Sequence, residues 1–562
     1  MTAIDDVGDG FLDGYVAVQG AVASFMGIAG HDHELADFSP QGWAALDDLA
    51  GRTLAELRAA EVTSDNDRVT VTALTEELTA NRELYAAGLA TSNLNTAASP
   101  LQMIRLVFDL TGTDEGWDAV AARLAAVPDT LDGYRRGLAE EAGRGVVSAR
   151  RQVVGCAEQC AGWSGHRGEK AFFTELVARY GDGPRRTELD RLAARASEAF
   201  AEFGRYLRED LAPLAPERDG VGAERYALWL RTHTGARLDL AETYQWGWEE
   251  FTRIRAEMHD VARTVLAAAG ERDTGGDTGE VVERAVAVLD TDPARRIDGA
   301  ENFRAWVQDL SDRTMDSLAG THFDIPDPVR RLRCMIAPVH EGGCYYTAPT
   351  EDFSRPGQMW WALPEGVDSF GTWREATTVF HEGVPGHHLQ IAQTMYRADR
   401  LNRCQRLLLG TPGHSEGWAL YAERLMAELG YLDDPGERLG MLDSQMLRAA
   451  RVILDVGMHL ELPIPAGTGF HEGERWTRDL GLEFLRRHYH AEDGYRIDEV
   501  DRYLGWPGQA PSYKIGERVW LAAREESRTR HGDTFDLKAF HTAALNIGSI
   551  GLDQLRDELT RF

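Results

Sequence analysis

The chain has 562 residues, 43% of them hydrophobic, enough to bury a large core and to divide into more than one folding unit. Against 60 Lys and Arg stand 91 Asp and Glu, a formal net charge of −31 at pH 7, which repels nucleic-acid phosphates and anionic membranes and excludes both as expected partners. No run of about eighteen apolar residues occurs, so no conventional membrane span is expected.

In chain order, the start Met1-Thr2-Ala3-Ile4-Asp5-Asp6 is acidic and lacks the basic n-region and apolar stretch of a secretory signal, which predicts a cytoplasmic protein. Ala, Leu, Glu and Arg, with apolar residues three and four apart, predict helices over residues 42–60, 69–90, 114–127, 131–160, 186–212 and 240–269. The five cysteines, Cys156, Cys160, Cys334, Cys344 and Cys404, are an odd set that fits reduced thiols better than a disulfide framework. Cys156 and Cys160 face one way on a helix, but no second ligand pair accompanies them. The stretch Pro213-Leu214-Ala215-Pro216-Glu217-Arg218-Asp219-Gly220 breaks the helical pattern and divides an N-terminal helical lobe, residues 1–215, from a second lobe, residues 216–562, that carries the motifs below. Residues 270–279 and 463–469 read as solvent loops.

Strand candidates are few. Met335-Ile336-Ala337-Pro338 and Cys344-Tyr345-Tyr346-Thr347 predict a short hairpin around Gly342-Gly343, followed by a strand over 358–363. Such a sheet stands immediately before the main motif, where it serves either as an edge for a substrate backbone or as a packing element.

That motif is His381-Glu382-Gly383-Val384-Pro385-Gly386-His387-His388-Leu389-Gln390, an H-E-x-x-H pattern with two extra residues. In the standard pattern two histidines one turn apart clamp a zinc ion, and the glutamate is general base for the activated water. In an unbroken helix His381 and His387 would lie about 120° apart and could not share an ion. Pro385 cannot bond the carbonyl of residue 381 and clashes with it, so the backbone must bulge or kink, with Gly386 supplying the freedom to recover. His387 then takes the place of the second histidine. His388 is the rival, on the face of His381 but about 10 Å further along the axis.

A hydrolytic zinc site needs a third protein ligand and an open position. Gly413-His414-Ser415-Glu416-Gly417-Trp418-Ala419-Leu420-Tyr421-Ala422-Glu423 begins a helix with Ser415 as expected N-cap, which puts Glu416 in the first turn. There it is either a ligand or a helix-start carboxylate favoured by the dipole. His471-Glu472-Gly473-Glu474 imitates a metal motif but has no second histidine at ligand spacing, and is taken as a decoy. Further on, Arg451, Asp455 and His459 are spaced four apart on one face of an apolar helix. They form either an ion-pair ladder or the wall of a cleft, with Asp455 supporting a ligating imidazole and His459 near the substrate.

The segments 381–390 and 414–423, with Gly508-Gln509-Ala510-Pro511-Ser512-Tyr513-Lys514-Ile515-Gly516, resemble the bacterial family of domain of unknown function 885. That family looks like a distant relative of the mainly helical zinc peptidases with a glutamate third ligand, the thermostable carboxypeptidases and thimet-type oligopeptidases. The resemblance covers about residues 220–555 with specific motifs. It implies a mainly α, two-lobed zinc-peptidase-like fold with a central cleft and a small β-sheet beside the motif helix. It implies His381, His387 and Glu416 as ligands of one divalent metal, zinc first and manganese, cobalt or iron by the same donors, and Glu382 as base. It also implies a downstream tyrosine, Tyr513 with Tyr503 in reserve, as donor to the oxyanion; by its charge, Lys514 or Arg451 is the expected cation for a free carboxylate. The expected partner is a peptide or small amide substrate. The expected function is a metal-dependent hydrolase, a zinc peptidase or carboxypeptidase. The alternatives are a metalloenzyme acting on a small-molecule amide or other polar metabolite, and a non-catalytic metal-binding protein, for which Glu382 would have no use.

Overall fold

The helix-favouring composition is realised along the chain. In the computed structural model, which describes residues 2–110, 116–168, 170–271, 276, 278–338 and 343–562, helices account for 66% and strands for two small sheets. The fold class is mainly α. No described helix is long and apolar enough to cross a membrane.

Two compact units divide the chain. The first comprises Met1–Trp229, Met458–Glu461 and Asp498–Pro507, so the Pro213–Gly220 stretch lies inside it. Its helices include α1 (Pro40–Ala59), α2 (Asp65–Ala86), α3 (Trp117–Gly143), α4 (Arg150–Trp163) and α5 (Arg186–Tyr206). Local chemistry sets their starts: Ser39 caps α1 ahead of Pro40, and Ser64 and Asp67 form a reciprocal capping box on α2. Pro128, in the gap between the expected helices 114–127 and 131–160, lies within α3. It removes one backbone bond, while Leu124, Val127, Leu131, Tyr134 and Leu138 bury a continuous apolar face on both sides of it, and packing outweighs the loss. The break comes later, where Gly145 takes φ +77°. Cys156 and Cys160 are buried in this core.

The second unit comprises Leu230–Gly457, Leu462–Ile497 and Gly508–Phe562. It contains α6 (Leu240–Ala268) and the strands β1 (Arg296–Asp298), β2 (Leu332–Ile336), β3 (Cys344–Thr347), β4 (Gly357–Trp361) and β5 (Ser369–Gly371). β4 lies between β2, which it pairs in parallel, and β3, which it pairs antiparallel. The expected direct pairing of the two earlier segments is therefore corrected: the third strand separates them. Met359 and Trp361 of β4 bury against Phe303, Leu332, Cys334, Phe370 and Val379, which draws that strand to the centre. Gly342, of the expected turn, lies outside the described residues.

The remaining helices that matter here are α7 (Glu375–Glu382), α8 (His387–Tyr396), α9 (Pro412–Glu428), α10 (Pro435–Leu460) and α11 (Gln509–His531). α9 and α11 meet backbone to backbone. A Cβ on Gly417 would stand 2.5 Å from Gly516 Cα, and one on Gly516 would stand 2.0 Å from the Gly413 carbonyl oxygen, so Gly417 and Gly516 are both needed at this crossing.

Candidate metal centre

The expected distortion around Pro385 is a complete break. α7 stops at Glu382, and the Gly386 N–H turns back to the Phe380 carbonyl at 3.0 Å before α8 starts at His387. The Val384–Pro385 peptide bond is cis, and the Pro385 carbonyl accepts from Trp418 Nε1 at 2.8 Å. A Cβ on Gly386 would fall 1.9 Å from the His381 carbonyl oxygen, so only glycine permits this return. The two imidazoles that an unbroken helix would hold apart end with ring centroids 4.8 Å from each other and planes at 85°.

Glu416 reaches them from α9. The N-cap of that helix is Thr411, whose side chain accepts from the His414 N–H, with Pro412 in the first position; Ser415 is already inside. Glu416 therefore lies beyond the first turn, where the dipole has faded, and the helix-start explanation of this carboxylate lapses. Its Oε2 is 3.3 Å from His381 Nε2 and 3.3 Å from His387 Nε2. Yet that oxygen is buried without a hydrogen-bond partner, so neither contact has the direction of an N–H···O bond.

These separations fit a cation. Donors held at about 2.0–2.1 Å in tetrahedral directions stand about 3.3 Å from one another. Ligand-capable atoms of His381, Glu382 and His387 all lie within 4.8 Å, which brings the expected base to the same point. Charge argues the same way, because the buried Glu382 and Glu423 and the partly exposed Glu416 set three carboxylates around two imidazoles. Burial alone would lower the pKa of His381, but its carboxylate neighbours Glu416 and Glu423 reverse this and carry it up to about 10. Burial would likewise raise Glu416, but His387 and His381 hold it well below the usual carboxylate range. Without a metal the group takes up a proton where a dication would balance it better. Glu382 is raised, by burial above all, against the pull of His387 and His381.

Around this group the sequence expectations divide. Both nitrogens of His388 are committed, Nδ1 to the Tyr346 hydroxyl at 3.0 Å and Nε2 to the Val329 carbonyl at 2.7 Å, so it is not brought to the centre. The carboxylate that supports His381 is Glu423, whose Oε1 is 2.8 Å from Nδ1, while Asp455 accepts from the Gly508 N–H at 2.9 Å. Glu423 escaped sequence reasoning, although it stands two helical turns beyond Glu416 on the same face of α9. The Arg451 guanidinium lies 4.8 Å over the ring of the half-buried Tyr513. Lys514 is 1% exposed, and its ammonium meets Gln445, Glu250 and Glu517. Its three donors are used, which corrects its expected role as holder of a substrate carboxylate. His459 also stands corrected: it is buried in the first unit with Nε2 on the Tyr503 carbonyl at 3.0 Å, and burial lowers its pKa to about 4. Tyr503, the reserve, is buried and donates to Glu499. His471 sits outside any such cluster, bridging Glu474 and Glu483 at 3.0 Å each. A further missed residue is Arg448 of α10, whose charge helps lower Glu423 and opposes the upward shift of Glu382 without overcoming it, and whose Nε is buried without a hydrogen-bond partner.

Residues 21–559 match the family described as bacterial protein of unknown function (DUF885). The chain belongs to the DUF885 family. Among solved structures, this DUF885 protein is similar to a "putative lipoprotein" from Colwellia psychrerythraea, at 21% identity and a TM-score of 0.81, over 100% of this chain and 99% of that one. It is also similar to a "putative lipoprotein of unknown function" from Shewanella oneidensis, at 18% identity and a TM-score of 0.73, over 99% of each chain. At these identities the likeness is one of fold. No curated protein matches.

Proposed function

We propose that this DUF885 protein is a metal-dependent hydrolase of peptide or related amide bonds, with one divalent cation, zinc by its donor set, held by His381, His387 and Glu416. One observation carries the reading: a buried, unpartnered carboxylate oxygen of Glu416 equidistant, at 3.3 Å, from two imidazole nitrogens. Two imidazoles and one carboxylate leave a coordination position open, the pattern of a catalytic rather than a structural zinc site.

When bound, the cation would supply Lewis acidity to a water and to the scissile carbonyl. The residues of the chain do the rest. Glu382, beside both imidazoles and raised by burial, accepts the proton of the attacking water and delivers it to the leaving amine. Glu423 holds the His381 ring through Nδ1. Tyr513, braced by Arg451 against its ring, is the hydroxyl donor for the developing oxyanion. Glu382 also separates this reading from a non-catalytic metal-binding role, which gives that side chain nothing to do.

The test is cleavage of a mixed peptide pool by zinc-loaded protein before and after Glu382→Gln. The substitution keeps the shape and removes the base, so turnover should fall by about 10²–10⁴-fold while the zinc content holds. Unchanged turnover would remove Glu382 from the mechanism. A loaded protein that cleaves no peptide would overturn the peptidase reading.

A further inference from the structure

A line of buried polar groups leads away from the centre. His381 Nδ1 is 2.8 Å from Glu423 Oε1; Glu423 Oε2 accepts from Gln445 Nε2 at 3.2 Å; Gln445 Oε1 accepts from Lys514 Nζ at 2.5 Å. The four side chains are 5%, 1%, 0% and 1% exposed, so water does not interrupt the line. Lys514 is anchored at its far end by Glu250 at 3.0 Å and by Glu517.

Each group constrains the next. An ammonium only donates, so Gln445 must turn its oxygen to Lys514. Its NH₂ then faces Glu423, and because that amide only donates there, Glu423 Oε2 accepts. The other oxygen of an ionised carboxylate also only accepts, so the neutral His381 ring that a cation requires keeps its proton on Nδ1 and turns the lone pair of Nε2 toward Glu416 and His387. Reversing the amide would set NH₂ against ammonium and oxygen against carboxylate.

We propose that Gln445 and Lys514 are positioning residues that fix the direction of hydrogen bonding along this line, and through Glu423 set the tautomer and orientation in which His381 meets a divalent cation. The inference rests on the metal reading above and extends it to two residues that touch neither ligand nor substrate. It gives the buried Lys514, which the sequence suggests as a substrate contact, a role behind the site.

Gln445→Met tests it best, since it keeps the side chain's length and leaves Lys514 paired with Glu250 and Glu517; Lys514→Met strands both carboxylates and risks the fold. Zinc affinity is measured by competition with a chelator, alongside the melting temperature of the metal-free protein. The His381 Nδ1–H proton resonance is followed in zinc-loaded protein labelled at histidine nitrogen. Gln445→Met should bind zinc roughly 10–100-fold more weakly and lose the downfield position of that resonance, with a cooperative melt retained. Wild-type affinity and an unmoved resonance in Gln445→Met overturn the positioning role alone. A wild-type protein that takes up no zinc overturns the metal reading and this inference together.

Discussion

A buried polar atom left unbonded costs about 1–3 kcal/mol, and a charged one more. Glu416 Oε2 is such an atom, held between two imidazole nitrogens that do not point N–H bonds at it. A cation at that point would offset the cost, and the same reasoning assigns Glu423 its place. Glu423→Gln keeps an oxygen for the His381 Nδ1–H but loses the charge, and zinc affinity should fall roughly 10–100-fold in chelator competition. Equal affinity would show that Glu423 only fills space. At this scale His381, Glu382, His387 and Glu416 were legible because their chemistry is written in residue types at near-motif spacing. His387 is preferred to His388 because Pro385 and Gly386 announce a distorted backbone ahead of them. Glu423, Gln445 and Arg448 were not legible, since their roles depend on which helix faces lie together across long intervals of sequence. Lys514 and His459 were misread for the same reason: a charged or titratable side chain near a motif does not reveal whether its partners have already taken it.

The centre is assembled from short elements that end early. α7 and α8 are separated by Gly383–Gly386, and α9 reaches them only because its backbone lies close against α11 through Gly413, Gly417 and Gly516. Gly516→Ala places a Cβ about 2 Å from a carbonyl oxygen that belongs to the backbone and cannot rotate away. It should destabilise the protein by about 1–3 kcal/mol or more, read from denaturant unfolding, and should lower zinc affinity because Glu416 rides on the displaced helix. A change under about 0.5 kcal/mol would mean that the crossing has slack. Helix locations were readable from apolar periodicity, but several ends were not. Pro128 sits inside α3 because packing on both flanks prevails, and α9 is capped by Thr411 rather than Ser415 because a threonine–proline pair supplies both the cap and the first φ angle. The central place of β4 was hidden because pairing order depends on burial of Met359 and Trp361, not on sequence adjacency.

Across the whole molecule, several histidines are buried as neutral rings. Burial lowers His233 and His541 to about 3 and His459 to about 4, against an ordinary value of 6.5. Because the unfolded chain binds these protons first, stability is fully present above about pH 6.5 and is lost as pH falls from there toward the folded values. Each ring contributes about 1.4 kcal/mol per pH unit within that window. Unfolding free energy measured in denaturant should therefore decline from pH 6.5 to pH 4.5 in wild type and decline less steeply in His541→Asn; parallel slopes would contradict this assignment. The mainly α class was open to sequence reading from composition and helical period, and the family from three short segments, while the return of residues 458–461 and 498–507 to the first unit required the three-dimensional fold. Everything functional turns on whether His381, His387 and Glu416 hold a metal. Crystals grown with one equivalent of zinc and measured at the zinc absorption edge test this most directly. The account predicts a single anomalous peak about 2.0–2.2 Å from His381 Nε2, His387 Nε2 and Glu416 Oε2. Zinc absent from that point, or bound by other residues instead, would contradict it.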